Sequence, residues 1–478
     1  MVLEPLSREE CRSSELSAPT EAGPKPTAPA LSALHACNTG CVRDVVILGS
    51  TGSIGTQALE VIDERRDQFR VVGLAAGGGQ IKLLARQVLD YTPAVVGVSR
   101  ASAVQDLQLA LYAEVSRRGW SKGEVTLPKI VAGPQAPNEV AGMACDLVLN
   151  GITGAAGLPA TLTTLAQGTR LALANKESLV IGGPLVLDAA ADGQIVAVDS
   201  EHSAIAQCLR GGRGDEVDRL VVTASGGPFR GMTRDQMADA TPEQALAHPT
   251  WNMGRVITTN SATLFNKGLE VLEAHLLYGI DLDRIDVVIH PQSMIHSMVQ
   301  FIDGSTLAQC SPPDMKLPIA LALGWPDRLA GSSRPVDWSR AQDWTFEPLD
   351  NEAFPAVDLV RRAGRLGGTA PAALNAANEE CVDAFHEGRI GFTRIIDIVA
   401  AVVEEHVRLA TDSELPGPPI LADSQPPQAA EPGSATKADV GSMATLQTAG
   451  FVSSSDLTVE AIGRTDGWAR RRAAEMCQ

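Results

Sequence analysis

"VVILGSTGSIGTQALEVI", residues 45–62, decides how the rest of the chain is read. A run of β-branched and aliphatic residues stops at Gly49, and Gly49, Gly52 and Gly55 then precede a segment with apolar residues at helical spacing. Glycines between a strand and the mouth of a helix let backbone N–H groups approach a pyrophosphate. The spacing is GxxGxxG, a variant of the dinucleotide fingerprint, and alone it can equally close an ordinary βα corner.

Context favours the ligand. From residue 42 short apolar runs alternate with amphipathic stretches: "VRDVVIL", "RVVGLAA", "AVVGVS", "PKIVAG", "DLVLN", "RLALAN" and "QIVAVD". That rhythm predicts βαβ units on a mostly parallel sheet. The second run continues as "RVVGLAAGGGQIK" (70–82) and ends in glycines without the acid that usually holds an NAD ribose, which leans toward NADP. No arginine or lysine stands at that turn, so Lys82 or Arg86 would have to reach back to a 2′-phosphate.

Beyond the first block come "RLVVTAS" (219–225), a helical pattern over 261–278, and the strand-like runs "RIDVVIH", "HSMVQFI" and "STLAQC". Adjacent strands without intervening helices imply an α+β unit. Past residue 350, "PAALNAANEECVDAFHEG", "FTRIIDIVAAVVEEHVRLA" and "DGWARRRAAEM" predict helices, interrupted by a Pro-, Gly- and Ser-rich stretch that reads as a flexible insertion over 411–452. Residues 1–42 read as a disordered extension with neither a secretory nor a transit pattern.

The 478 residues suffice for about three domains. Thirty-nine basic against 57 acidic residues, a net charge of −18, disfavour nucleic acid as a partner. No apolar run reaches the ~18 residues of a membrane span; even "IIDIVAAVV" is short and carries Asp397. A cytoplasmic protein is expected. The eight cysteines are dispersed, only Cys37 and Cys41 lying close, and read as reduced thiols.

The polar residues cluster at predicted element ends. "VDSEH" places Asp199, Ser200, Glu201 and His202 where a strand stops; in extended backbone the two carboxylates project to one side and repel unless a cation or donor lies between them. "ALANKESLV" puts Asn175, Lys176 and Glu177 where a strand opens into a helix, which fits a ligand edge or a solvated helix start capped by Asn175. On a helix, Asn266 and Glu270 share a face and Lys267 flanks it, so Lys267 with Glu270 is a surface ion pair or part of a site. Nearby, "TASGGPF" offers Ser225, and "HPTWNMGR" offers His248, Trp251 and Met253. Serines, an amide and a lysine are the parts of a phosphate cage.

Six motifs, "GSTGSIG", "ANKESLV", "VDSEH", "SGGPF", "NKGLE" and "HPQSMIHSMV", occur in this order, and through them the chain resembles the 1-deoxy-D-xylulose 5-phosphate reductoisomerase family over about residues 43–410 and again at the C-terminal helix. The resemblance implies an N-terminal Rossmann-like dinucleotide-binding domain (43–193), a central α+β catalytic domain (194–345) and a C-terminal helical domain (346–478). It implies conversion of 1-deoxy-D-xylulose 5-phosphate to 2-C-methyl-D-erythritol 4-phosphate with NADPH and Mg²⁺ or Mn²⁺, Co²⁺ also being admissible, in a homodimer. Asp199, Glu201 and Glu270 become the metal ligands, which with Lys176 and His248 form the catalytic set. Ser200 and Lys176 contact the substrate backbone, with Glu201 and Glu270 beside it. Ser225, Ser261, Asn266, Lys267 and His248 surround its phosphate, and Trp251 belongs to a mobile flap. Thr51, Gly52, Ser53 and Ile54 form the pyrophosphate turn, with Gly77, Gly79, Asn175, Glu177 and Gly254 also near the cofactor. His202 takes a structural place behind the ligands. Many relatives carry lysine where this chain has Gly78, so Gly78→Lys is expected to widen the preference for NADPH.

A simple NADP-dependent dehydrogenase of the homoserine or aspartate-semialdehyde type would share the glycine turn but has no use for three convergent carboxylates. A nucleotide-sensing regulator would tolerate the loss of Lys176, Asp199 or Glu270, and all are present.

Overall fold

The computed structural model describes residues 42–121, 124, 126–251, 253–413 and 450–478. The expected extension, apart from Val42, and residues 414–449 of the expected insertion lie outside these, as do Cys37 and Cys41. The described ends of that insertion are structured: the helix Arg394–Ser413 enters it, and Val452 leaves it hydrogen-bonded to Thr369 in both directions, 3.0 Å each.

The seven apolar runs of the first block are seven strands, β1 (Arg43–Leu48), β2 (Phe69–Ala76), β3 (Val95–Val98), β4 (Lys129–Ala132), β5 (Leu147–Asn150), β6 (Arg170–Leu173) and β7 (Ile195–Ala197). They form one all-parallel sheet in the order β4-β3-β2-β1-β5-β6-β7. Strands covered on both faces read as continuous apolar runs, and Val45 to Leu48 are accordingly all buried. The order reverses between β1 and β5, so a crevice opens at their carboxyl ends. Gly49 turns the chain there at φ +79, and a Cβ on it would lie 2.5 Å from the Gly151 carbonyl after β5, so no larger residue fits. β7 lies past residue 193 yet completes this sheet.

One covering helix comes from far along the chain. Lys316–Gly324, apolar around its circumference, buries Ile319, Ala320, Ala322 and Leu323 in the same core as Val45, Ile47 and Leu149. Arg43 donates to the Leu323 carbonyl (2.8 Å) and Arg170 to that of Trp325 (2.8 Å), satisfying carbonyls at the helix end.

The second sheet is mixed: β8 (Val217–Ala224), β9 (Ile285–Ile289), β10 (Ile295–Phe301), β11 (Thr306–Cys310) and β12 (Glu347–Pro348), ordered β11-β10-β8-β9-β12. β8 and β9 run parallel and the other pairs antiparallel. The single helix expected over 261–278 is two, Arg255–Ala262 and Phe265–Tyr278, broken at Leu264, whose φ is +58. The helices Ala356–Leu366, Ala370–His386, Arg394–Ser413 and Val459–Met476 follow. Leu220, Val222 and Val299 of the sheet share one apolar core with Val360, Leu374, Val399 and Trp468 of these helices.

Candidate active site

β7 ends at Ala197, and two residues later Asp199 caps the helix Ser200–Cys208, its carboxylate accepting from the Ser200 amide at 3.0 Å. Glu201 lies in that helix's first turn. The two carboxylates therefore converge through a helix start and not, as the sequence alone implies, along extended backbone; negative charge is favourable at this end of a helix. Glu270 comes from the interior of Phe265–Tyr278 and is 1% exposed. Ligand oxygens of Asp199, Glu201 and Glu270 all lie within 4.8 Å of one another.

Two buried lysines stand among them. Lys176, the first residue of the helix Lys176–Gly182, contacts Asp199 and reaches Glu270 Oε1 at 2.8 Å. Lys267 reaches Glu201 Oε1 at 2.7 Å and also contacts Glu270. Lys267 with Glu270 is thus no surface pair, since Lys267 is 5% exposed. Asn266 ties both sets together, donating to Glu270 Oε1 (2.5 Å) and accepting from Lys176 Nζ (3.0 Å). Ser200 Oγ donates to Glu201 Oε2 at 2.5 Å.

Three carboxylates against two ammonium groups leave one negative charge in excess. Burial and the charges of Glu270 and Asp199 push the Glu201 carboxyl up to about 7, although Lys267 opposes them. At Asp199 burial is outweighed by the Lys176 ammonium, which holds the carboxyl well below its usual range. Both lysines stay charged: burial works against them, but Asp199 and Glu270 raise Lys176, and Glu201 and Glu270 raise Lys267. Buried, all-oxygen donors with an unbalanced negative charge fit a hard divalent cation.

Behind the carboxylates His202 is fully buried, Nε2 donating to the Glu270 carbonyl (2.9 Å) and Nδ1 lying 3.2 Å from Glu273 Oε2. Burial lowers the His202 pKa; burial and the charge of Asp199 raise that of Glu273 well above the usual carboxylate range. Asp199, His202 and Glu273 form a second close grouping. Sequence reasoning passed over Glu273, and its signal was available: it lies three residues after Glu270, on the same helical face.

Of the residues expected around a phosphate, Ser225 and His248 meet directly. Ser225 follows β8, and its Oγ is 3.0 Å from His248 Nε2. His248 Nδ1 accepts from the Thr250 (3.1 Å) and Trp251 (2.9 Å) amides, so the ring proton sits on Nε2 and Ser225 accepts it. Burial keeps this histidine's pKa below its ordinary value. The Gly226–Gly227 turn rests against Ser261, the penultimate residue of Arg255–Ala262. Trp251 is half-buried, edge-on to His296 with ring centroids 6.2 Å apart. His296 donates to the Ser311 carbonyl (3.1 Å); burial, aided by the Lys267 charge, takes it down to about 4.

At the glycine turn Gly52 and Ser53 are exposed and Thr51 and Ile54 half-buried, at the crevice mouth. Gln80 donates to the Thr51 carbonyl (2.9 Å), joining this turn to the one after β2, where Gly77 and Gly79 are exposed. Gly78 is buried at φ +95, and a Cβ there would meet Ala103, Val98 and Arg100 at 3.1 to 3.3 Å. A lysine at this position would be strained at that φ, whatever its charge did for the cofactor. Asn175 is largely committed within the protein, donating to the Gly154 carbonyl (3.0 Å) and Glu177 (2.9 Å) and accepting from Ser178. Burial raises the Glu177 pKa. Gly254 is the exposed N-cap of Arg255–Ala262.

A parallel dinucleotide-type sheet, with this charged cluster on the helices that follow β6 and β7 and on Phe265–Tyr278, fits an NADPH-dependent oxidoreductase. The chain belongs to the 1-deoxy-D-xylulose 5-phosphate reductoisomerase family: the profile of that name matches residues 45–183, that of its C-terminal domain residues 195–278, and a DXP reductoisomerase C-terminal domain residues 310–420. The reductoisomerase of Cutibacterium acnes is 56% identical over 436 residues, 91% of this chain and 98% of that protein. That of Pseudarthrobacter chlorophenolicus is 59% identical over 376 residues, 78% and 94% of the two chains. A crystal structure of DOX-P reductoisomerase in complex with NADPH, fosmidomycin and magnesium superposes with a TM-score of 0.74 at 33% identity, covering 91% of this chain and 98% of the other. The Zymomonas mobilis enzyme in complex with NADPH gives 0.73 at 35%, covering 92% and 100%.

Proposed function

We propose that this chain rearranges and reduces 1-deoxy-D-xylulose 5-phosphate to 2-C-methyl-D-erythritol 4-phosphate, using NADPH and Mg²⁺ or Mn²⁺, in isoprenoid precursor biosynthesis. The observation that carries the reading is the convergence of Asp199, Glu201 and Glu270 oxygens within 4.8 Å, braced by two buried lysines. These three carboxylates would hold the cation. When bound, the cation would polarise the substrate ketone, and the nicotinamide would supply the hydride that traps the rearranged aldehyde.

The protein's own groups position and exclude. Lys176, reaching both Asp199 and Glu270, would serve as a cationic donor to the substrate oxygens, and Ser200, beside Asp199 and Glu201, would contact the substrate backbone. Ser225, Ser261, Asn266, Lys267 and the Nε2–H of His248 form the phosphate cage. Trp251, edge-on to His296 and tied through its amide to His248, is the part of the segment that closes as a lid, and closure excludes water from the rearranging carbon skeleton. Thr51, Gly52, Ser53 and Ile54 receive the pyrophosphate, with Gly77, Gly79, Asn175, Glu177 and Gly254 along the cofactor. His202 and Glu273 hold the backbone of Glu270 in place.

The working assembly is a cytoplasmic homodimer. The dimer is supported by β11, a sheet edge with Leu307 and the nearby Ile302 exposed. The decisive experiment follows NADPH oxidation with 1-deoxy-D-xylulose 5-phosphate, before and after chelation. Substrate-dependent oxidation that stops with chelator and returns with Mn²⁺ is expected; oxidation indifferent to chelator would overturn the metal assignment.

A further inference from the structure

The geometry points to Arg100 as the residue that reads the 2′-phosphate of NADPH, a role resting on the dinucleotide reading above. In this sheet a ribose 2′-substituent falls beyond the carboxyl end of β2. The turn there, Gly77 to Gly79, has no side chain to offer, and Gly78 cannot accept one without strain. The missing charge therefore has to come from a neighbouring element.

β3 is that element. Ala76, the last residue of β2, pairs with Val98, and the Ser99 amide donates to the Ala76 carbonyl at 3.0 Å. Arg100 is consequently held beside the glycine turn, its Cβ 3.3 Å from where a Cβ on Gly78 would stand. It is exposed, and among the described residues its guanidinium has no hydrogen bond or ion pair, unlike most arginines of this chain. A free planar fork of donors at the mouth of a bare glycine turn suits a phosphate monoester. Lys82 and Arg86, the other cations of this region, occupy the exposed face of the helix Ile81–Tyr91, whose opposite face, with Leu84, Ala85 and Val88, packs on the sheet. The three atoms nearest a Cβ at Gly78 belong to Ala103, Val98 and Arg100, and to neither of these two cations.

The test measures dissociation constants of NADPH, NADH, 2′,5′-ADP and 5′-ADP, by calorimetry without substrate, for the unmodified protein and for Arg100→Gln, Arg100→Lys, Lys82→Gln and Arg86→Gln. Arg100→Gln is expected to weaken NADPH and 2′,5′-ADP about 10-fold or more, the scale of a lost charge-assisted bond, while NADH and 5′-ADP stay within about 2-fold. Arg100→Lys should recover part of the loss and the Lys82 and Arg86 variants should change little. If Arg100→Gln lowers all four ligands equally, or none, or if a Lys82 or Arg86 variant carries the phosphate-specific loss instead, Arg100 is not the reader. An unmodified protein that binds NADPH no better than NADH fails at an earlier point, overturning the cofactor preference and this role with it.

Discussion

Glu270 meets Lys176, Lys267 and Asn266 at once, and its neighbours differ in what they supply: the lysines give charge, the amide a directed donor. Glu270→Gln keeps the shape and removes one negative charge. Metal affinity and turnover should fall by at least ~10- to 100-fold, the loss that outer-shell partners alone produce, with NADPH affinity little changed. A variant with unaltered metal dependence would return Glu270 to a purely structural part. Glu201 sets the pH dependence. Its carboxyl titrates near 7 in the folded protein against an ordinary value of 4.5, so between these values the native state binds the extra proton and this group's contribution to stability falls as pH rises. A bound cation requires the carboxylate and displaces that proton. The increase in melting temperature caused by Mn²⁺ should therefore grow with pH up to about 7 and then level off; a flat response from acid to neutral pH would contradict the assignment. At this scale Asp199, Glu201, Lys176 and Lys267 were legible as chemistry in the sequence, whereas Glu273 was overlooked and the freedom of Arg100 was invisible, because whether an arginine is paired depends on what folds beside it.

The break at Leu264 is the element-scale feature on which the site depends, because it turns the chain between Ser261 and the helix that carries Asn266, Lys267 and Glu270. A left-handed conformation costs a leucine about 1 to 2 kcal/mol. Leu264 is nevertheless 3% exposed in the core, and emptying such a position costs about 2 to 5 kcal/mol. Burial wins. Leu264→Gly should lower stability by ~2 kcal/mol, read from the urea midpoint, even though it removes the backbone strain; a stabilised variant would show that strain dominates. The periodicity of residues 261–278 read as one helix because apolar spacing continues across the break, and nothing in Leu264 itself announces a positive φ. Asp199 and Glu201 carry the converse lesson. Both carboxylates were visible, but the helix cap that aims them needs the Ser200 amide free at the end of β7, which only the ended strand provides.

Across the whole molecule the C-terminal helix reaches back to the dinucleotide side. Arg470 of Val459–Met476 donates to Glu379 (2.6 Å) and Asp466 (2.8 Å), and the Glu379 carboxylate lies against Gly154, whose carbonyl accepts from Asn175. Arg470→Met leaves two carboxylates without their partner. Partial exposure limits the cost to about 1 kcal/mol, seen as an earlier unfolding midpoint, and NADPH affinity should weaken about 2- to 5-fold as the Gly154 loop loosens. Unchanged NADPH binding at reduced stability would confine Arg470 to holding the helix.

The sequence by itself determined the seven parallel strands, the glycine turn, four strands of the second unit, three of the four C-terminal helices and the family, because strand periodicity, β-branched runs and six ordered motifs are local signals; the parallel pairing of β8 with β9, the short β12 and the helix Ala356–Leu366 were not among them. Tertiary structure alone decided that the helix Lys316–Gly324 returns to cover the first sheet, that the second sheet and the C-terminal helices share one core, that Lys267 is buried among carboxylates, and that Arg100 stands beside Gly78. Each of these depends on which segments distant in the chain meet, and that is settled by burial of complementary apolar faces and by strand order, which no single stretch of residues encodes.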